Sequence, residues 1–128
     1  MAELSALKKK EFGKALAALR QALLAEGERT VIRDSVLMRF AFTSEIAWKA
    51  LRLCVSERGG AEALVPKAAW REALRLELIS PEETETALKM VDDRNRLAHD
   101  YSEEFAEELY ARVKNDYEPL LRKALDVI

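Results

Sequence analysis

The side chains best suited to chemistry in this sequence lie in one short segment, residues 91–101 (VDDRNRLAHDY). This segment contains His99, the only histidine of the chain, and Arg94 five positions before it. A histidine can exchange a proton near neutral pH, and the planar guanidinium of an arginine matches the oxygens of a phosphate. Asn95 adds an amide and Tyr101 a phenol beside them. The segment therefore has the residue types for proton transfer at a phosphate centre.

Helical periodicity places Arg94 on the apolar face of its helix. On a wheel of about 100° per residue, Ala87, Val91 and Ala98 lie within roughly 60° of Arg94, and the charged residues gather on the opposite side. A buried guanidinium is costly unless it is paired, or unless it faces a cleft or a subunit interface. We expect one of these three surroundings for Arg94.

A purely structural interpretation of both residues stays open on spacing alone. Arg94 could pair with Glu45 or Asp93 and serve folding only. His99 could simply stabilise the carboxyl end of a helix through the helix dipole. The pattern Arg-x4-His is itself weak, because 12 arginines in 128 residues would produce it by chance about once in ten sequences.

The rest of the chain has the pattern of a helical bundle. Apolar residues recur at spacings of three and four, strand patterns are absent, and four glycines and three prolines punctuate the chain. The sequence predicts an all-α, antiparallel up-and-down bundle of about five helices with a four-helix core, forming a single domain over residues 1–128. The predicted helices run from about residue 4 to 25, from 30 or 34 to 56, from Pro66 to about Ile79, from Ser80 to about His99, and onward from a cap at Asp100 or Ser102.

Composition narrows the class of protein. Apolar residues make up 49% and charged residues 34% of the chain, and the formal net charge is only -2. The single cysteine, Cys54, excludes an intrachain disulfide and a thiolate cluster for zinc, and it favours a reducing, cytoplasmic setting. No window reaches the ~18 apolar residues that a membrane span requires. We therefore expect no metal site, no cofactor and no membrane association.

The motif RNRLAHDY resembles the signature of the HEPN superfamily of all-helical domains, which is Arg-x4-6-His with a polar residue after the arginine. Residues 33–51 (RDSVLMRFAFTSEIAWKAL) and 70–79 (WREALRLELI) resemble the second and third helices of its stand-alone branch, the nucleotidyltransferase substrate-binding proteins. The resemblance spans about residues 33–117. Two positions depart from the pattern: Ala41 replaces an expected acidic residue, and Ala87 replaces a usual tryptophan.

The resemblance implies a homodimer with a fold like the C-terminal domain of kanamycin nucleotidyltransferase. It also implies a toxin that works with a minimal, separately encoded nucleotidyltransferase as antitoxin. Many such proteins are metal-independent ribonucleases, with Arg94 and His99 of both subunits lining one cleft at the dimer interface. His99 would then transfer protons, Arg94 would hold the phosphorane, and Asn95 would orient His99 or contact the ribose. Tyr101 would be adenylylated (AMPylation) by the partner, which silences the ribonuclease.

Two other functions remain open from the sequence. The chain could be a non-catalytic module that presents a substrate, a nucleotide or a docking surface to the nucleotidyltransferase, or a purely structural dimer. Tyr101 could simply be half-buried in the turn between helices. We expect Trp48 and Trp70 to pack in the core or an interface rather than stack on RNA bases. Four basic residues could contact an RNA backbone, although such charges are mostly solvated: Arg29, Arg33, Lys49 and Arg52.

Overall fold

In the computed structural model, which describes residues 2–128, every regular element is helical. The last two helices and the π-helical turn between them are continuous, so the chain forms five helical rods, which confirms the predicted all-α fold. The elements are α1 (Ala2–Leu24), α2 (Arg29–Glu57), α3 (Pro66–Arg75), α4 (Pro81–Leu97), α5 (Glu103–Arg112), the π turn (Val113–Tyr117) and α6 (Glu118–Val127).

Helix α2 is the central element of the bundle, because it packs against each of the other five α-helices. Its buried side chains continue along almost the whole helix, as the apolar repeat predicts. Phe40 is fully buried near its middle and stacks on Tyr117 of the π turn, with ring centroids 5.6 Å apart. Trp70 of α3 is also fully buried and Trp48 of α2 nearly so, which confirms that both indoles pack rather than stand free.

The start of α4 follows the predicted capping box. The Ser80 hydroxyl accepts from the Glu83 amide at 3.1 Å, and the Glu83 carboxylate accepts from the Ser80 amide at 2.8 Å. Two of the amide donors left open at a helix start are thereby satisfied, and the helix direction is fixed. Helix α2 uses a less common cap, since the Glu28 carboxylate accepts from the amides of Thr30 and Val31.

Helix α3 ends at Arg75, so the expectation that it continues to about Ile79 is wrong. Glu77 adopts the left-handed conformation, with φ of 61°. The Leu78 amide then donates to the Ala73 carbonyl at 2.9 Å, as in a Schellman motif. The apolar spacing continues past the true end because Leu78 still packs against the core from the turn.

The first turns of α1 are more exposed than their apolar pattern predicts. Leu16 and Leu19 are buried as expected, and Phe12 is fully buried beside them. Leu4 and Leu7, which the repeat places on the same face, are 51% and 54% exposed. None of the helices in residues 2–128 is long and apolar enough to cross a membrane.

Candidate active site

The end of α4 and the loop that follows it position the predicted catalytic residues. The helix ends at Leu97, and residues 98–99 form a turn in which the His99 amide donates to the Arg96 carbonyl at 3.1 Å. Arg94 and Asn95 are therefore helical, but His99 lies beyond the last helical residue. The wheel, which extends the helix to about His99, overestimates its length by two residues.

Arg94 is partly buried and forms no ion pair within residues 2–128. Its Nε atom is fully buried and has no hydrogen-bond partner. The side chain borders a small cavity of about 170 Å³, which is completed by Ala41, Leu97 and Ala98. The methyl group of Ala41 cannot accept a hydrogen bond where the family resemblance leads us to expect a carboxylate. A free guanidinium therefore lies beside an open cavity.

The structural partners predicted for Arg94 are engaged elsewhere. Glu45 pairs with Lys49 at 3.3 Å. Asp93, which the wheel places on the polar face, is buried and accepts from Arg112 Nε at 2.7 Å. The interpretation of Arg94 as one half of a salt bridge with Glu45 or Asp93 is therefore wrong for this chain.

Asp93 is the centre of a buried cluster that anchors α4 to the π turn. It accepts hydrogen bonds from Arg112 and from the hydroxyl of Tyr117. In the π turn the Glu118 amide donates to the Val113 carbonyl five residues back, so side chains five apart lie on one face. This geometry brings both donors to one carboxylate. Burial, followed by the bond to Asp93, raises the pKa of Tyr117 above its usual range.

His99 and Asn95 are both exposed. Neither side chain forms a hydrogen bond with the described part of the chain, so the expected orientation of His99 by Asn95 is not present in the single subunit. The imidazole is consequently available to a substrate or to a second subunit. Their proposed catalytic roles stay predictions.

Tyr101 is half exposed, and its hydroxyl donates to Asp34 Oδ1 of α2 at 2.7 Å. The same carboxylate accepts from Arg33 Nε at 3.0 Å. Arg33 is buried and binds both carboxylate oxygens of Glu103, at 2.7 and 3.2 Å. Burial and the bond to Asp34 raise the pKa of Tyr101 to about 12, and the bond from Tyr101 lowers the pKa of Asp34.

A second set of contacts supports the loop between α4 and α5. Asp100 accepts from Arg96 Nε at 2.9 Å and from the Ser102 amide at 3.1 Å. The Ser102 hydroxyl accepts from the Phe105 amide and caps α5. Of the two caps that the sequence allows, Asp100 and Ser102, the helix therefore uses Ser102. The guanidinium of Arg96 lies 4.1 Å from the centroid of the Phe105 ring. The loop that carries His99 and Tyr101 is thus held at both ends.

The four basic residues suggested for an RNA backbone are mostly engaged within the chain. Arg29 pairs with Glu107 at 2.5 Å, and Lys49 pairs with Glu45. Buried Arg33 binds the Glu103 carboxylate next to the Tyr101 loop. The Arg52 guanidinium lies 5.8 Å from the centroid of the Trp48 ring. In residues 2–128, no group of three or more acidic, histidine or cysteine side chains is placed to hold a metal ion.

Comparisons with known proteins agree with this architecture. A sequence profile of the family described as "nucleotidyltransferase substrate binding protein like" matches residues 7–128. A crystal structure of a protein from Thermus thermophilus is similar at 37% identity and a TM-score of 0.83, over 90% of this chain and 96% of that one. A search of curated protein sequences finds no significant match.

Two structures of toxin–antitoxin pairs share the fold at low sequence identity. One contains the tri-AMPylated HEPN toxin of Shewanella oneidensis in complex with the MNT antitoxin, with 16% identity and a TM-score of 0.79, over 99% of this chain and 97% of that one. The other is a mutant MntA–HpeT toxin–antitoxin, with 16% identity and a TM-score of 0.77, over 98% of this chain and 96% of that one.

Proposed function

Because this chain belongs to the nucleotidyltransferase substrate-binding protein-like family, we propose that it is a HEPN-type toxin that works in the cytoplasm with a separate minimal nucleotidyltransferase. Its activity is metal-independent cleavage of single-stranded RNA. The single observation that carries the proposal is Arg94, which forms no ion pair within residues 2–128 and borders an open cavity. An arginine that serves folding alone would pair with a carboxylate, whereas a phosphate oxygen in the cavity can pair with this guanidinium.

The active form is a homodimer that brings two copies of Arg94 and His99 together. Met38 and Phe42 flank Ala41 on α2 and are 69% and 61% exposed. Ala41, which lines the Arg94 cavity, lies on the same helix three residues from Met38 and next to Phe42 in the sequence. Large side chains exposed in this way are typical of an interface. Association through this surface would enclose the cavity between two subunits.

The chemistry requires proton transfer and charge stabilisation but no metal. The His99 imidazole of one subunit accepts the proton of the ribose 2′-hydroxyl, whose oxygen attacks the adjacent phosphorus. The bond from phosphorus to the 5′-oxygen breaks, and the second His99 donates a proton to that leaving oxygen. The Arg94 guanidinium groups stabilise the extra negative charge of the phosphorane. The products are a cyclic phosphate and a free 5′-hydroxyl. Asn95 contacts the ribose.

Tyr101 is the modification site through which the nucleotidyltransferase silences the ribonuclease. Its ring is half exposed, and it lies two residues from His99 in the same loop. An adenylyl group on this phenol adds a nucleotide and a negative charge next to the candidate site. A phosphodiester there would compete with RNA for the same cations.

The test is cleavage of single-stranded RNA by the purified chain in EDTA, after mass spectrometry has shown that Tyr101 carries no adduct. We expect a cyclic phosphate product, and His99→Ala should lower the rate by at least ~100-fold. The melting temperature of this variant should stay unchanged, because His99 is exposed. If the folded, unmodified wild type leaves varied RNAs intact but binds a nucleotidyltransferase, the non-catalytic docking module replaces this proposal.

A further inference from the structure

The contact between Tyr101 and Asp34 joins a modifiable phenol to a carboxylate of its own chain. The hydroxyl donates to Asp34 Oδ1 at 2.7 Å. Arg33 holds that oxygen in place, with Nε and Nη2 each 3.0 Å away. The Asp34 side chain remains 48% exposed, so a proton placed on it can leave to solvent. No other acceptor within residues 2–128 binds the hydroxyl.

We propose that Asp34 is the base that accepts the proton of Tyr101 when this tyrosine receives an adenylyl group. The inference rests on the proposed modification of Tyr101 and adds that the acceptor chain supplies its own proton acceptor. A carboxylate hydrogen-bonded to the attacking hydroxyl has the same role in protein kinases, where it accepts the proton of the substrate hydroxyl. Here the base and the nucleophile belong to one molecule.

The transfer balances as follows. The Tyr101 oxygen forms a bond to the α-phosphorus of ATP bound by the nucleotidyltransferase, and the bond from that phosphorus to the bridging oxygen breaks. Pyrophosphate leaves with that electron pair. The phenolic proton passes along the existing hydrogen bond to Asp34 and then to water. Burial and the Asp34 bond raise the pKa of Tyr101 to about 12, so the free phenol is a poor nucleophile at neutral pH without a base.

The surrounding charges favour transfer during the reaction rather than before it. The hydrogen bond from Tyr101 and the neighbouring Arg33 keep the pKa of Asp34 below its usual range. Glu103 is bound to Arg33, and so it offsets part of the positive charge that Arg33 places beside the carboxylate. Asp34 therefore stays ionised and ready to accept a proton, and the phenol becomes acidic enough to release it only as the new bond forms.

The experiment measures transfer of label from radiolabelled ATP to the chain by its cognate nucleotidyltransferase. Asp34→Asn keeps a hydrogen-bond acceptor at the same place but cannot take a proton, and it should lower the turnover of labelling by about 100-fold with little change in KM. Asp34→Glu should recover part of the rate, and Tyr101→Phe should take no label. Asp126→Asn, the same change at an exposed aspartate of α6, should label as the wild type does.

Two further readouts separate a base from a structural contact. The rate for Asp34→Asn should rise with pH, because hydroxide must then remove the proton. NMR of labelled tyrosine rings should show that this substitution lowers the pKa of Tyr101 from about 12. An Asp34→Asn protein that is labelled at the wild-type rate, that loses only affinity for the nucleotidyltransferase, or whose Tyr101 titrates as in the wild type would overturn the role of Asp34.

If the proposed modification of Tyr101 does not occur, the labelling experiment gives a different result from the failure of Asp34 as a base. If the wild type takes no label, or takes it at a residue other than Tyr101, the modification itself is wrong and the role of Asp34 falls with it. If Tyr101 is labelled and only the Asp34→Asn rate is unchanged, the modification stands without an internal base.

Discussion

Replacement of Arg94 by alanine should abolish RNA cleavage and leave stability nearly unchanged. Its Nε is buried with no partner, so truncation removes an unsatisfied polar atom. That removal is favourable by about 1–3 kcal/mol. The lost contacts of the aliphatic stem act in the opposite direction with similar size. We therefore expect a net change in the free energy of unfolding within about 1 kcal/mol.

Asp93 on the same helix provides the contrast. Asp93→Ala leaves the guanidinium of Arg112 and the hydroxyl of Tyr117 without their buried acceptor. Breaking such a pair on one side costs about 3 kcal/mol. For a domain of 128 residues, 1 kcal/mol corresponds to about 4 °C in melting temperature. We expect a decrease of about 12 °C for Asp93→Ala and a change of less than about 4 °C for Arg94→Ala.

The assays are thermal unfolding followed by circular dichroism, and cleavage of single-stranded RNA in EDTA. Arg94→Ala should lower the cleavage rate by at least ~100-fold, the scale for loss of a cation that stabilises a transition state. Arg71→Ala is the matched control, because Arg71 is an exposed arginine of α3 that forms no ion pair within residues 2–128.

A particular result would refute this reasoning. If Arg94→Ala lowers the melting temperature as far as Asp93→Ala does, Arg94 has a structural partner in solution. Its guanidinium would then not be free to bind a phosphate. If stability is unchanged and RNA cleavage is also unchanged, Arg94 takes no part in the reaction.

Three further outcomes are expected. Phe42→Glu should convert a dimer to a monomer in light scattering and abolish RNA cleavage. Leu64→Glu, at a loop residue that is 74% exposed, should change neither the oligomeric state nor the cleavage rate. A wild type that is monomeric at micromolar concentration would contradict this interface. Glu77→Gly should raise the melting temperature by about 4 °C. The φ of 61° strains a glutamate by about 1 kcal/mol, and glycine adopts this φ without that strain. Gly60→Ala should destabilise the protein in chemical denaturation, because its Cβ would lie 2.7 Å from the Val55 carbonyl oxygen.

The parts of the fold that could be predicted are those specified by neighbouring residues. The capping box at Ser80 depends only on four consecutive residues, 80–83, and the apolar repeats define the core faces of the helices. The pairs that matter at the site are not local. Tyr101 and Asp34 are 67 residues apart, and no pattern near either one indicates the other. A helical wheel places Asp93 on the polar face because it cannot show that Tyr117 reaches this carboxylate from another helix.

The end of α3 and the length of α4 differ from the prediction for a related reason. Glu77 in the left-handed conformation stops α3 although its sequence continues the apolar spacing. Side-chain periodicity describes which face is buried, and it does not describe where the backbone turns. The positions of His99 and Tyr101 depend on such a turn, so their residue types could be identified from sequence while their contacts could not.

The π turn has a consequence for how chain length can vary in this family. It holds one residue more than an α-helix of the same span, and that extra residue keeps Arg112 and Tyr117 on the same side of the helix. Deletion of a single residue within residues 113–116 would restore regular α-helix, in which Arg112 and Tyr117 would be four residues apart and would still share one face. An alignment gap of one residue at this place should therefore be compatible with the buried cluster, and the arginine, the tyrosine and their carboxylate should be inherited together at either spacing.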